Sequence, residues 1–428
     1  QYHESMDKIF HKFFSAAAVM LAAVACLLTS CSSDSQDVAR QLLSTVPSSA
    51  GVVAVIDTES IIDDAGGAEF LKKLVRERSG KAKADEMFKV WDPAPVVVFY
   101  DGGYLYMTTH LTNASAVMAQ MERTDKVEFT DQDGVKCNDK FAVVGDQLWM
   151  LLSGGTLNPT NIKSYSKLSQ NRSFASSAYC DDLLKEGEIA YICDIHAMYE
   201  MSTGVSNSQY GSLAMQMLFN DASYIAGGIN FNKGKAEMTS KVLTSKYKMA
   251  EFQLPTGKVD TSVIKMLSSN TQHIVAINIP KSLVRKVCDI GKTFGGIPGE
   301  VEAAISPIDG TVAVSFSDNF SSMAGIITAD GSTAALSKAL SDQKMTVAEE
   351  GKYLRVQQGD TPNGTLIPSE MAGEFSGAVA GYVGEPPFLP GATMTAMYYV
   401  EHGGLLMKMT VKTPGSDNFL NYVLKQMQ

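Results

Sequence analysis

The chain has 428 residues, 45% of them hydrophobic and 19% charged, the balance of a folded globular protein rather than a disordered one. Its formal net charge of −10 repels a phosphate backbone and argues against nucleic acid as a partner. The same charge argues against an anionic membrane surface as the main contact, and the length suffices for two domains with separate cores.

The first predicted element is a leader. Lys8 and Lys12 precede a hydrophobic run from Phe13 to Leu28, and Leu28-Thr29-Ser30-Cys31 closes it. A basic n-region, a short apolar h-region and small residues before the cut make a secretory signal, with Met6 as its start. The run is shorter than the ~20 residues a spanning helix needs. A cysteine directly after Leu-Thr-Ser matches the bacterial lipobox. Residues 1–30 therefore read as a lipoprotein signal peptide and Cys31 as the lipid-attachment residue. Cys26 is the weaker cleavage candidate, because a cut there shortens the apolar run. Glu4, Asp7, Lys8 and Lys12 cancel, so the mature chain keeps the whole negative charge. Residues 31–37, polar and acidic after Cys31, read as a lipidated tether.

The body opens with a strand at Val53–Asp57. Val96–Tyr100, the turn Asp101-Gly102-Gly103 and Tyr104–His110 then make a hairpin, and Asn113 caps a helix carrying Val117, Met118 and Met121. The same order returns downstream: Thr311–Phe316, the turn Ser317-Asp318-Asn319, Ser321–Thr328, and a helix carrying Ala335, Leu336, Ala339 and Leu340. Lys126–Thr130 with its turn Asp131–Gly134 aligns with Lys344–Ala348 and Glu349–Gly351. Long hairpins close both copies, Ser223–Phe231 with Lys235–Thr244 and Thr393–Val400 with Leu405–Thr413, and a final helix is expected over Asp417–Met427. The reading is an α+β fold, two related units of antiparallel sheet with helices packed on one face, made by tandem duplication. The units span 38–252 and 260–428, joined by a linker over Phe252–Asp260, with a polar insertion at 156–177.

Val46-Pro47-Ser48-Ser49-Ala50-Gly51-Val52-Val53-Ala54-Val55-Ile56-Asp57, followed by Ser60-Ile61-Ile62, resembles the opening of Bacteroidetes-type uncharacterised envelope lipoproteins that carry a domain of unknown function. Ile274–Leu283 repeats it without the leading proline. The resemblance covers the opening of each half. It implies a compartment and an architecture, with no activity and no catalytic residues.

The chemistry-bearing motifs are sparse. Ser164-Tyr165-Ser166-Lys167, Ser317-Asp318-Asn319 and Lys412-Thr413 stand in the order of a serine acyl-transfer set. Pro414 occupies the place of its final glycine, and Ser317–Asn319 is already explained as a repeat turn. Gly291-Lys292-Thr293 lacks the upstream glycine of a phosphate loop and reads as a helix end. Asp131-Gln132-Asp133-Gly134 has the core of a calcium loop but Phe129 and Lys140 at the outer ligand positions, so a hairpin turn is expected. His110, His196, His273 and His402 have no metal-ligand spacing. Cys137, Cys180, Cys193 and Cys288 contain no Cys-x-x-Cys. Buried free thiols are the preferred reading for them, and a Cys180–Cys193 bridge is the competitor. Trp91, beside Asp92-Pro93, is a weak ligand-binding candidate. Trp149 alternates into a strand and reads as core; Tyr100, Tyr104 and Tyr106 cluster around one hairpin, with Tyr104 and Tyr106 on one face, and read as packing rather than as a sugar platform.

These readings converge on a lipid-anchored envelope protein of the outer membrane, periplasmic or surface-exposed. It is expected to be a non-catalytic binding or scaffold module for a protein or polysaccharide partner, without cofactor or metal. Glycan or small-ligand binding is the alternative, and a serine acyl hydrolase the second.

Overall fold

The computed structural model describes residues 35–67, 69, 72, 73, 76, 94–203, 215–267, 270–293, 296–317, 320–386, 389–415 and 418–426. Cys31 and Trp91 lie outside them. Ser35–Leu43 forms α1 because Val38, Ala39, Leu42 and Leu43 share one face and bury together. Asp37 sits in its first turn, where the helix dipole favours an acid. The expected tether of residues 31–37 is thus shorter, since Ser35, Gln36 and Asp37 already belong to the helix that this apolar stripe stabilises.

β1 (Val52–Ile56) leads into α2 (Thr58–Asp64), whose first turn is capped by the Asp57 carboxylate accepting from the Ser60 N–H. β2 (Val96–Asp101), β3 (Tyr104–His110) and α3 (Ala114–Asp125), capped by Asn113, follow as the sequence implies. Next come β4 (Thr130–Gln132), β5 (Val135–Cys137), β6 (Phe141–Val144) and β7 (Gln147–Leu151), then α4 (Pro159–Tyr165) and α5 (Cys180–Leu183). β8 (Ile189–Asp194), α6 (Ile195–Thr203), β9 (Phe219–Asn220), β10 (Ala222–Asn232), β11 (Lys235–Thr244) and β12 (Glu251–Phe252) complete the first half.

The second half runs α7 (Thr261–Lys265), β13 (His273–Ile279), α8 (Lys281–Thr293), α9 (Gly299–Ile305), β14 (Ile308–Phe316) and β15 (Met323–Ala329). It continues with α10 (Ala334–Asp342), β16 (Thr346–Glu350), β17 (Tyr353–Gln358), α11 (Pro368–Met371), β18 (Ala380–Gly384), β19 (Thr393–Glu401), β20 (Gly404–Lys412) and α12 (Phe419–Gln426). The class is α+β. Antiparallel pairings join one sheet in the order β4-β5-β6-β7-β3-β2-β1-β8-β10-β11-β20-β19-β18-β13-β14-β15-β17-β16.

Outward from the β11–β20 seam, where Met238 faces Met409, both halves carry the same connectivity. β1 lies between β2 and β8, as β13 lies between β14 and β18. Val53 faces Phe99 and Ile192, and Ile274 faces Ser315 and Val383. The structure departs from the sequence alignment at one hairpin. β17 pairs with β15 in the place that β7 takes beside β3. The hairpin β16–β17 therefore corresponds to β6–β7, and β4–β5 is extra to the first half. Two tandem Gly-turn hairpins look alike locally, and only the long-range pairing with β3 tells them apart.

Helices cover both faces of the sheet rather than one. On one face of the first half, α1, α4 and α5 bury Val53, Val55, Val97, Phe99, Tyr106 and Trp149. On the other, α2 and α12 cover Ile56, Val96, Val98, Met107 and Phe231. α12 crosses to the first half because Phe419 and Leu420 fill the gap beside Phe231, and the Phe419 and Phe231 rings stack at 6.0 Å. In the second half, α7 and α11 lie on the first of these faces, over Ile274, Ala276, Ala313 and Val383. α10 lies on the other, over Ile327, Leu354 and Val356.

Residues 156–177 are not a polar loop. α4 and two short 3-10 turns build the segment, and Leu157, Ile162, Tyr165 and Phe174 enter the core. Its Ser and Asn residues satisfy the backbone at turns, as when Asn158 accepts from the Thr160 N–H at 2.9 Å. Four well-spaced apolar side chains outweigh the polar composition.

Candidate functional site

The most unusual surface lies on the second half. β13 (Ile274-Val275-Ala276-Ile277), β14 (Val312-Ala313-Val314) and β18 carry apolar residues on both sides of the sheet, the pattern of strands buried on both faces. Ile274, Ala276, Ala313, Val383 and Met397 are indeed buried under α7 and α11. Their neighbours point the other way. Val275 and Ile277 are each 36% exposed, Tyr398 37%, Val400 36%, and Phe320, in the β14–β15 turn, 52%. The register makes them one surface: Val275 pairs with Val314 and Tyr382, Ile277 with Val312 and Ala380, and Tyr398 with Ala380 and Met407. Half-exposed Met409 and Met238 continue it across the seam.

One end of this face is aromatic. The rings of Phe320 and Phe316 stack at 4.7 Å, Phe316 and His273 lie at 4.9 Å, and His273 and Tyr382 at 5.9 Å. His273 Nδ1 and the Tyr382 hydroxyl are hydrogen-bonded at 2.9 Å, which gives these two polar atoms of the column a partner. Phe320 holds φ at 55°, a left-handed backbone that a bulky side chain rarely adopts, and the outcome is a phenyl ring held in solvent.

The first half shows what this face looks like when covered. Matching the register, Val275 corresponds to Ala54, Ile277 to Ile56, Val314 to Val98 and Tyr398 to Ile229. Those first-half residues lie under or against α2 and α12. On this side of the second half α10 packs against Val312, and α8, which follows β13 as α2 follows β1, lies beside β14 with Val284 and Cys288 buried. α12 lies on the first half, and Val275, Ile277 and Tyr398 stay exposed.

Other sequence candidates resolve locally. Ser164 Oγ donates to the Thr160 carbonyl at 2.9 Å in the last turn of α4, a helix back-bond. α4 sits on β5 and β6, whereas Ser317 closes β14, with β7, β3, β2, β1, β8, β10, β11, β20, β19, β18 and β13 ranged between. The structure does not assemble the acyl-transfer set. Gly291 and Lys292 end α8, and Lys292 pairs with Glu302 at 3.2 Å. Asp131 accepts from the Gly134 N–H at 2.9 Å in the β4–β5 turn. Trp149 is fully buried against Tyr165, at 6.1 Å and stacked, and Tyr106 is buried beside it. Of the hairpin tyrosines expected to pack, Tyr106 does so, but Tyr104, on the same face at the end of β3, is 40% exposed, because the sheet edge beside the turn gives it no cover.

The thiols of Cys137, Cys180, Cys193 and Cys288 are free and buried. Cys180 joins the cluster under α1, while β8 alternation turns Cys193 to the opposite side of the sheet from Ile192, so the two cannot bridge. Burial pushes the Cys193 thiol up to about 12. His110 lies 3.5 Å from Asp146, and His402 occupies the β19–β20 turn. Among the described residues no group of three or more His, Cys, Asp or Glu side chains is placed to hold a metal ion, and no helix is long and apolar enough to cross a membrane. Sequence reasoning missed the open face; its signal is strands apolar on both sides, a pattern shared with strands buried on both faces.

A carboxylate cluster forms where β1, α2 and β8 meet. Glu188 Oε2 accepts the Phe231 N–H at 2.9 Å, and its carboxyl shares a hydrogen bond with Asp64 close to Asp57. Burial, with these acidic neighbours, pushes Glu188 up to about 7.

No protein-family model matches the chain, and no curated protein does. Among solved structures, crystal form I of TP0453 aligns with a TM-score of 0.29 and 8% identity, covering 77% of this chain and 95% of that one. Crystal form III of TP0453 aligns with a TM-score of 0.26 and 7% identity, covering 77% and 96%. Scores this low establish no common fold.

Proposed function

We propose that the protein is a lipid-anchored envelope protein, held at the outer membrane through Cys31, and a non-catalytic binding module whose docking surface is the open face of the second half. One observation carries the docking reading: Val275, Ile277, Tyr398 and Val400 are large, apolar, contiguous and wet. Contiguous exposed apolar surface marks an interaction site in a folded monomer. The face favours a protein over a polysaccharide, since a sugar needs hydrogen-bonding groups beside its aromatic platform and the Tyr382 hydroxyl is engaged by His273. The matching connectivity of the halves supports descent by tandem duplication, one copy having kept its face open.

Two measurements test this. A solvatochromic apolar dye should brighten on the full chain and lose most of that signal in the double variant Ile277→Lys, Tyr398→Lys, with the unfolding midpoint little changed. Undiminished dye binding would remove the face from consideration. For the anchor, Cys31→Ala should release the protein from the membrane fraction of its source cells; retention there sinks the lipid reading. Protease shaving of intact cells then separates outward from periplasmic orientation.

A further inference from the structure

We infer that the open face of the second half receives an amphipathic α-helix of a partner protein, an inference that rests on the docking reading above and names its partner class. Three observations converge on a helix. The first is internal: residues equivalent to Ile277 and Tyr398 in the first half, Ile56 and Ile229, are covered by short helices. α12 does so with Phe419, Leu420 and Val423, apolar positions spaced one and four apart on one helical face. In the second half α8 and α10 pack beside β14, and the part of the face over Ile277 and Tyr398, exposed and of the same register as the surface under α12, calls for a lid of the same kind.

The second is size. β14, β13, β18, β19 and β20 present the face over roughly 20 Å across, at about 4.8 Å per strand, and four to five residues along, or about 15 Å. That is on the order of 300 Å². A stable dimer typically buries about 800 Å² on each partner, so the face is too small to be the whole seat of a second copy. A helix of about 12 residues, about 18 Å long and 10 Å wide, fits it.

The third is side-chain chemistry. Met238, Met407 and Met409 line the seam end, and the ring column of Phe320, Phe316 and Tyr382 lines the other. Flexible thioethers adapt to the knobs of a docking helix, and helix-in-groove recognition reads apolar anchors at i, i+3 or i+4, and i+7.

The test uses the full chain and a dansylated 18-residue peptide with leucine at i, i+3, i+4 and i+7 and lysine elsewhere. A scrambled peptide of the same composition and phosphatidylethanolamine–phosphatidylglycerol vesicles run in parallel, and sedimentation of the chain alone reports self-association. The periodic peptide should bind and turn helical, at least tenfold more tightly than the scrambled one, and I277K/Y398K should lose at least tenfold. Equal binding of both peptides, or binding that I277K/Y398K leaves intact, overturns the inference. Vesicle binding or dimerisation that depends on Ile277 and Tyr398, without peptide binding, overturns it in favour of a membrane or a second copy. If the apolar dye binds the face and the peptide does not, the helix fails while the docking reading stands. If neither binds, both fail.

Discussion

Glu188 couples the stability of the first half to pH. Its carboxyl is carried from an ordinary value of 4.5 to about 7, first by burial and then by the hydrogen bond with Asp64 and the charges of Asp64 and Asp57, with the Phe231 N–H pulling the other way. In the unfolded chain the group loses its proton near 4.5, whereas the folded chain keeps it to about 7. Between those values the folded state binds more protons, so stability falls as pH rises through the window and stays reduced above it. At about 1.4 kcal/mol per pH unit the full displacement corresponds to about 3 kcal/mol. Glu188 is only half-buried, and solvent screening reduces this to about 1–2 kcal/mol. Glu188→Gln keeps an acceptor for the Phe231 N–H and a donor for Asp64, and removes the titration. Urea unfolding followed by tryptophan fluorescence from pH 4 to 8.5 should show the variant more stable than wild type by that amount at pH 8 and about equal at pH 4. Parallel stability curves for the two proteins across the whole range would refute the linkage.

Trp149→Ala should cost about 3–5 kcal/mol, the usual toll for emptying a fully buried aromatic site, seen as a large drop in the urea midpoint. Trp149→Phe should cost clearly less, because the Trp149 Nε1 finds no hydrogen-bond partner among the described residues; equal losses would count against the packing account. Phe419→Ala should cost about 2–4 kcal/mol and raise dye binding, since it loosens α12 from Phe231; an unchanged dye signal would mean that α12 is not the lid. Cys137, Cys180, Cys193 and Cys288 should resist iodoacetamide in the native state and react on denaturation. A Cys180–Cys193 disulfide peptide in the mass spectrum would contradict the placement of those residues on opposite sides of the sheet. An active-site serine probe should label wild type and Ser164→Ala alike, and labelling lost with Ser164 would revive an acyl-transfer role.

The period-two alternation of Val96–His110, Lys235–Thr244 and Thr393–Lys412 marked the hairpins to within a residue or two. The stripe Phe419, Leu420, Val423 marked the closing helix. These are local signals: turn chemistry and side-chain period act over a few residues, and they are written in the order of the letters. The same letters misled at Thr156–Ser177, where four buried apolar residues counted for more than the polar average. They also misled at Lys126–Gly134, where two look-alike hairpins compete for one partner strand.

Tertiary structure alone decided the β11–β20 seam, the docking of α12 on the first half and the open face over Val275, Ile277 and Tyr398. Alternation says that a strand has two faces and how apolar each one is. It does not say which helix, arriving from far along the chain, comes to rest on either, because that choice is made by competition among distant surfaces. Here α12 lies against one of two equivalent faces, and on the other Val275, Ile277 and Tyr398 are left exposed.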